Sequence, residues 1–294
     1  MQYAIDSLPV LIKLGISFLV LLIGSITDMK TREVPDWVNY SLVASGLGIN
    51  LLFSVIYSND DFIINSIIGL AILFGIAYVM FYAGQWGGGD SKMLMGLGAM
   101  IGVDVSFNEP QFLGGFLINI LFVGAFYGIL WSLYLAIRDK GSFSKEFKKI
   151  ISRKDIAKWK KIIIISTLLL IIISFITPTY IKILLIALAF MSITTFYMMI
   201  FVKSIEKSSM HKLVEPSKLT EGDWIVKDVK VNGKYVTGPK DLGIDKSQIR
   251  ILIDAYKKRK IGKVLIKEGI PFVPSFLLAF ILTLLIGNPL WFLV

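Results

Sequence analysis

Apolar positions along the chain fall into long blocks separated by short polar breaks. Near-continuous apolar runs occupy 9–27, 37–57, 62–83, 111–137, 162–176, 180–202 and 271–293. Crossing the hydrocarbon layer takes about 20 apolar residues in a helix, because backbone groups cannot be left unpaired in lipid. Each run therefore predicts a membrane-spanning helix. A shorter apolar piece, 91–103, sits between the third run and an acidic turn at 104–110. At about 1.5 Å per residue it reaches only about 20 Å, so it predicts either a short eighth crossing or a helix packed inside the protein. The first run opens Met1-Gln2-Tyr3-Ala4-Ile5-Asp6, without the basic stretch of a cleaved signal peptide.

The periodicity changes over 203–270. Asp223 to Gly238 alternates in the manner of β-strands around Asn232-Gly233, a dipeptide favoured in two-residue hairpin turns. Ser247 to Lys260 then predicts a helix with a basic end, Lys257-Lys258-Arg259-Lys260. The predicted fold is an all-α polytopic membrane protein of about seven to eight transmembrane helices with a small cytoplasmic α+β appendage. Its expected parts are a membrane domain at 1–202, the appendage at 203–270 and a C-terminal transmembrane helix at 271–294. The appendage has no glycine-rich nucleotide-binding loop.

Composition removes other readings. With 55% apolar and 18% charged residues and a mean hydropathy of +0.72, the 294-residue chain is not a water-soluble globule. The absence of cysteine excludes disulfides, thiolate nucleophiles and Cys-type zinc sites. A single histidine, His211, excludes a His-Glu-x-x-His metal pair. Chemistry is left to carboxylates, lysines, hydroxyls and backbone, with neither metal nor cofactor expected.

Charge sets the sidedness. Segments 138–161 and 203–270 each carry a net +7, which leaves −4 for the rest of a chain of net +10. The turns at 58–61 and 104–110 hold Asp60, Asp61, Asp104 and Glu109 and no basic residue. The positive-inside tendency puts the basic segments in the cytoplasm and those turns outside. Both termini are then external, and the connections 28–36 and 84–90 are cytoplasmic. The same tendency accounts for the basic excess without nucleic acid, and contact with anionic membrane lipid is its ordinary consequence. Gly98-x-x-x-Gly102 and Gly124-x-x-x-Gly128 suit close helix packing, read here as intramolecular, and the oligomeric state is not legible.

Three acids border spans on the cytoplasmic side: Asp28, Asp36 and Asp90. Asp36 follows Pro35 and suits a helix N-cap; Asp90 also suits a cap, and Asp28 an interfacial charge. A cap alone does not call for the three glycines before Asp90, however. Gly87, Gly88 and Gly89 remove every side chain beside one carboxylate, which suits close approach by another backbone such as an extended substrate. Two carboxylates that meet cannot both ionise easily, so they can share one proton and activate water against a peptide carbonyl. That chemistry fits the depleted inventory.

The residues also resemble a known family. Asp28, then Lys30, Arg32 and Val34-Pro35-Asp36, is similar to the first motif of type IV prepilin peptidases. Gly87-x-Gly89-Asp90 with Lys92 and Leu94 resembles their second motif, Gly-x-Gly-Asp with a nearby lysine. The two aspartates are 62 positions apart. The likeness is clearest over roughly 9–137 and returns at Pro271-Phe272-Val273-Pro274-Ser275-Phe276. With the basic insertion, that ending looks most like archaeal members, including preflagellin peptidases.

The resemblance implies a membrane aspartyl endopeptidase with Asp28 and Asp90 as its catalytic pair. Its substrate would be a prepilin or prearchaellin (preflagellin) precursor whose short basic leader stays cytoplasmic. Glu33, Asp36, Glu221 and Asp223 are candidate counter-charges for that leader. Lys30, Arg32 and Lys92 are read as lipid-facing anchors, with Lys92 as motif support. The bacterial members' cysteine-rich segment and N-methylation do not carry over. Presenilin-like proteases share Gly-x-Gly-Asp but usually have tyrosine before the first aspartate, where this chain has Thr27. The rival readings are a cation- or proton-coupled transporter using Asp28 and Asp90, a Ser-Lys hydrolase at Ser91 or Ser25, and a silent assembly scaffold.

Overall fold

A computed structural model describes residues 7–103 and 112–289. The 104–110 turn, the first six residues and the end of the last predicted span lie outside the described residues. The helices in chain order are α1 (Leu8–Thr31), α2 (Asp36–Ile56), α3 (Asp61–Tyr82), α4 (Gly88–Ile101), α5 (Phe112–Arg138), α6 (Lys140–Ile151), α7 (Lys154–Phe175), α8 (Thr179–Ile205), α9 (Lys246–Lys257) and α10 (Val273–Ile286). The strands are β1 (His211–Val214), β2 (Trp224–Ile225), β3 (Val229–Val231), β4 (Lys234–Thr237) and β5 (Val264–Lys267). Among the described residues five helices are long and apolar enough to cross a membrane: α1, α2, α3, α5, and α8 with its π-helical continuation to Met210. The chain is a multi-pass membrane protein. Three further apolar helices are shorter or more charged. Two of them, α4 and α10, have 14 residues each, and α7 opens with Lys154, Asp155, Lys158, Lys160 and Lys161 before its apolar run.

Local chemistry sets the boundaries that matter for the site. Pro9 lies in the first turn of α1, where its missing N–H costs no helical bond. Arg32 ends the same helix in the left-handed region, at φ 62°, and its N–H returns to the Asp28 carbonyl at 2.9 Å. Pro35 precedes α2 with extended backbone, which breaks the chain cleanly between the two helices. In α10, Pro274 again occupies the first turn.

The core is built around α4. Met93, Leu94, Leu97, Ala99 and Met100 are fully buried among α1, α2 and α3, so the 91–103 stretch is the helix packed inside the protein. Glycine makes that possible: Gly98 meets the Gly69 carbonyl of α3 directly, and Gly102, at φ 80°, lies against Asn65. Backbones this close gain dispersion contacts that larger residues would prevent. The Gly98/Gly102 pair therefore packs within the chain, as the spacing predicts. Gly124 of the second pair meets the Phe272 ring, but Gly128 faces open space. Buried amides tie down the far ends of these helices. Asn50 donates to the Gly46, Ala99 and Met100 carbonyls, and Asn119 to Thr283 and to the Gly287 carbonyl. The bonds to Ala99, Met100 and Gly287 satisfy carbonyls that the ends of α4 and α10 leave unpaired.

Helices α7 and α8 pack as a pair at the side of this core, joined at mid-height by Thr167 and Ser192 at 3.2 Å. The amphipathic α6 lays Phe143 against Phe201 and Ile150 against the Phe196 and Ile200 cluster.

Beyond α8 the chain forms a three-stranded antiparallel sheet, ordered β1-β5-β2, and a β3-β4 hairpin. Asn232 and Gly233 turn that hairpin with φ 51° and 80°, the conformation expected for Asn-Gly. Asp245 caps α9 by accepting from the Gln248 N–H, while the Gln248 side chain accepts from the Asp245 N–H. Leu219, Ile225, Ile244, Leu252, Val264 and Ile266 form a separate small core here.

Candidate active site

The end of α1, the start of α2, the start of α4 and the start of α10 converge at one end of the helical core. Gly24 lets them meet: a Cβ there would fall 2.6 Å from Met93 Cε and 3.3 Å from Val273 Cγ1. One turn above it stands Asp28, only 5% exposed. Its Oδ2 accepts the Val273 N–H at 2.9 Å. Val273 is the first residue of α10, where the backbone N–H has no helical acceptor, so the helix terminus supplies a donor to the carboxylate.

Asp90 is the third residue of α4 and half-buried. Its Oδ2 accepts the Gly87 N–H at 2.9 Å, which closes the glycine loop onto the helix start. The two carboxylates lie within electrostatic range of each other. Segments separated by 62 positions are thus brought to one place by the packing of α1 on α4.

The two motifs also interlock directly. Gly89 sits against the 33–35 connection, and a Cβ there would lie 3.3 Å from the Val34 nitrogen. Close backbone approach at the glycine run is therefore made by the chain's own Val34, whereas a side chain at Gly88 would meet only the Phe81 ring at 3.9 Å. Lys92 pairs with Asp36 at 2.6 Å and lies over the Tyr40 ring at 5.4 Å.

These contacts correct three expectations. Asp36 is not an N-cap: Pro35 occupies that position, and Asp36 lies in the first turn of α2 with its carboxylate on Lys92. Lys92, two positions after Asp90 in the second motif, is therefore a cross-motif partner and not a free anchor. Arg32 is likewise not a lipid-facing anchor, since its guanidinium lies 5.1 Å over the Trp131 ring of α5. Trp131 in turn stacks on Tyr127, with ring centroids 5.8 Å apart. Tyr127 lies within electrostatic range of both Asp28 and Arg32.

The appendage reaches over the same end. The Trp224 ring faces Gly84, where a Cβ would meet it at 3.4 Å, just before the glycine run. Asp223 is within electrostatic range of Glu33 and Glu268, and burial raises its pKa above the ordinary value. Of the other candidate counter-charges, Glu221 pairs with Lys246 at 3.0 Å. Among the described residues no group of three or more His, Cys, Asp or Glu could hold a metal ion.

Sequence reasoning missed Val273, Tyr127 and Trp131. The Pro271-to-Phe276 ending marked the region of Val273. Tyr127 and Trp131 lie four positions apart near the end of an apolar run, where aromatic residues are common, so nothing local set them apart.

Residues 15–133, which contain both aspartates, match the type IV leader peptidase family (Peptidase_A24). Similar proteins include the "Preflagellin peptidase" of Methanocaldococcus jannaschii, 40% identical over 107 residues, which are 36% of this chain and 44% of that protein. The protein of the same name from Methanococcus maripaludis is 36% identical over 107 residues, 36% of this chain and 45% of that one. That of Methanococcus voltae is 42% identical over 91 residues, 31% and 39% of the two chains. The chain thus spans less than half the length of the curated relatives it matches.

Proposed function

We propose that this chain is a membrane aspartyl endopeptidase that removes the short basic leader from preflagellin or type IV prepilin-like precursors. Asp28 and Asp90 are its catalytic pair, and they work at the cytoplasmic face. The observation that carries the reading is their convergence: two carboxylates from distant motifs, within electrostatic range, each held by one backbone N–H at a helix start. The family match over 15–133 and the relatives' names supply the substrate class.

In the working state one carboxyl carries a proton and the other is ionised, because neighbouring like charges resist double ionisation. The ionised member takes a proton from water as the water oxygen attacks the peptide carbonyl carbon. The protonated member gives its proton to the carbonyl oxygen, producing a tetrahedral diol. The C–N bond then breaks as the nitrogen takes the proton that came from water, and the departing diol proton restores the pair. The products are a leader with a new carboxyl terminus and a mature subunit with a new amine. No group outside the chain is consumed except water.

Residues 1–202 and 271–294 form the membrane part and 203–270 the cytoplasmic appendage. The net +7 of 138–161 and of 203–270 supports that sidedness. It puts the aspartates on the side where a basic leader would remain.

The test is co-expression with an archaeal preflagellin or prepilin precursor, reading precursor size on a gel, with wild type, Asp28→Asn and Asp90→Asn. The expected result is conversion by wild type and none by either variant. Cleavage that persists in either variant refutes the aspartyl assignment. Absence of cleavage of every such precursor by wild type would turn the reading toward transport.

A further inference from the structure

Two buried hydrogen-bond donors beside Asp28 have no role in the steps above. The Arg32 Nη1 and the Tyr127 hydroxyl are both buried, and among the described residues neither has a hydrogen-bond partner. They are not scattered. Arg32 follows Asp28 by one helical turn, its guanidinium lies 5.1 Å over Trp131, and Trp131 stacks on Tyr127. Tyr127 lies within electrostatic range of both Arg32 and Asp28. Buried polar groups are normally paired, because an unmet donor loses its water without compensation. Here two of them stand on one aromatic ledge next to a carboxylate that is itself bonded elsewhere, to Val273.

The pair's chemistry defines what would fit. A guanidinium donates only, and a phenol donates readily, so their common partner is an acceptor. A main-chain carbonyl oxygen has two lone pairs and can take both donors at once. An extended peptide lying across Asp28 brings such carbonyls on either side of the bond to be cut. We infer that Arg32 Nη1 and the Tyr127 hydroxyl form a two-donor seat for a substrate main-chain carbonyl flanking the scissile bond. Trp131 holds the guanidinium in place. This inference rests on the peptidase reading of Asp28 and Asp90 and names the groups that set the peptide's register against them.

The left-handed backbone at Arg32 serves the same end. With φ at 62° Arg32 ends α1 with its N–H still on the Asp28 carbonyl, so the residue keeps its place one turn beyond Asp28 while its guanidinium lies over Trp131 of α5. Lysine at this position keeps the charge but offers no planar fork for Trp131 and no second nitrogen.

The experiment uses the full chain in detergent or vesicles with an archaeal preflagellin precursor as the probe. Tyr127→Phe removes one oxygen and keeps the ring on Trp131; Arg32→Lys keeps the charge. Each is expected to lower kcat/KM about tenfold or more with an unchanged unfolding midpoint. Because both donors serve one oxygen, the double variant should lose clearly less than the product of the two single losses. A substrate-side measurement does not depend on the variants' folding. Precursor peptides carrying a single amide-to-ester change, which weakens that carbonyl as an acceptor, should contain one position where wild type slows and Tyr127→Phe slows no further.

Single variants within twofold of wild type, fully multiplicative losses, or no such ester position would each overturn the seat. If Asp28→Asn and Asp90→Asn abolish cleavage while these variants leave it intact, only the seat fails. If cleavage survives the aspartate variants, the peptidase reading itself fails.

Discussion

The ion pair between Lys92 and Asp36 joins the two motifs, and its strength can be worked out from its surroundings. The side chains are 36% and 61% exposed, so water and salt screen the 2.6 Å contact. Exposed pairs of this kind contribute about 0.2–1 kcal/mol. Lys92 also lies over the Tyr40 ring at 5.4 Å, an exposed cation–π contact worth about 0.5–1 kcal/mol. Asp36→Asn removes only the first interaction and leaves Lys92 on its ring. Lys92→Met removes both. The expected losses are therefore about 0.5 kcal/mol for Asp36→Asn and about 1–2 kcal/mol for Lys92→Met. The first corresponds to about a twofold change in an equilibrium constant, too little to unseat Asp90. Denaturant unfolding in detergent measures the stabilities, and precursor conversion measures the activity. Raising the salt concentration should shrink the Asp36→Asn effect further, because the screening length falls. Asp36→Asn should retain at least a fifth of wild-type conversion. Loss of conversion beyond a hundredfold with an intact fold would refute this reasoning and give Asp36 a chemical role.

Two further outcomes follow from packing and titration. In Gly98→Ala the added methyl meets the Gly69 carbonyl carbon at 2.9 Å and Leu73 Cβ at 3.0 Å; backbone cannot swing aside, so α3 and α4 must part. The expected cost is about 1–3 kcal/mol with a marked loss of precursor conversion, whereas Gly128→Ala, in open space, should match wild type in both assays. Burial first, and then the Lys267 and Lys207 charges, hold His211 below its ordinary 6.5, against Glu206 at 3.7 Å. The unfolded chain therefore binds a proton more readily than the folded one just below pH 6.5, so stability should fall as pH drops from there and level off below the folded value. Unfolding curves for the appendage at pH 7.5 and 5.5 should show that fall in wild type and less of it in His211→Gln, and equal slopes in the two proteins would refute it.

The features legible in the sequence were those set by neighbours along the chain. Apolar runs placed α1, α2, α3, α5 and α8 within a few residues, since crossing lipid demands length and apolarity that composition records directly. The Asn232-Gly233 turn was legible for the same reason, because its dihedrals are a property of those two residues. Errors began where a distant segment decides. The 138–161 stretch is legible only as a basic segment because its charge dominates; yet Phe143, Phe147 and Ile150 fold Lys140–Ile151 into α6 once α8 offers them a face. The predicted helix at Ser247–Lys260 stops at Lys257, because Arg259 takes the left-handed region at φ 54°. The three-stranded sheet was invisible, since β1 and β2 meet only through β5, whose residues pair with β2 across 41–43 positions and with β1 across 50–56.

The candidate site divides along the same line. Asp28 and Asp90 could be singled out because an acid at the end of an apolar run and an acid behind three glycines are both local anomalies. What holds them is not local. Val273 reaches Asp28 across 245 positions, and Arg32 reaches Trp131 across the α1–α5 contact. Asp36 shows how this misleads: a proline before an acid fits a cap by every nearby criterion, and only Lys92, 56 positions on, draws its carboxylate away from the helix start. Charged and aromatic groups at helix ends have several admissible partners, and the choice among them belongs to the packing of α4 within the bundle. Any substitution that moves α4 should therefore disturb the aspartates more than one that alters a single charge beside them.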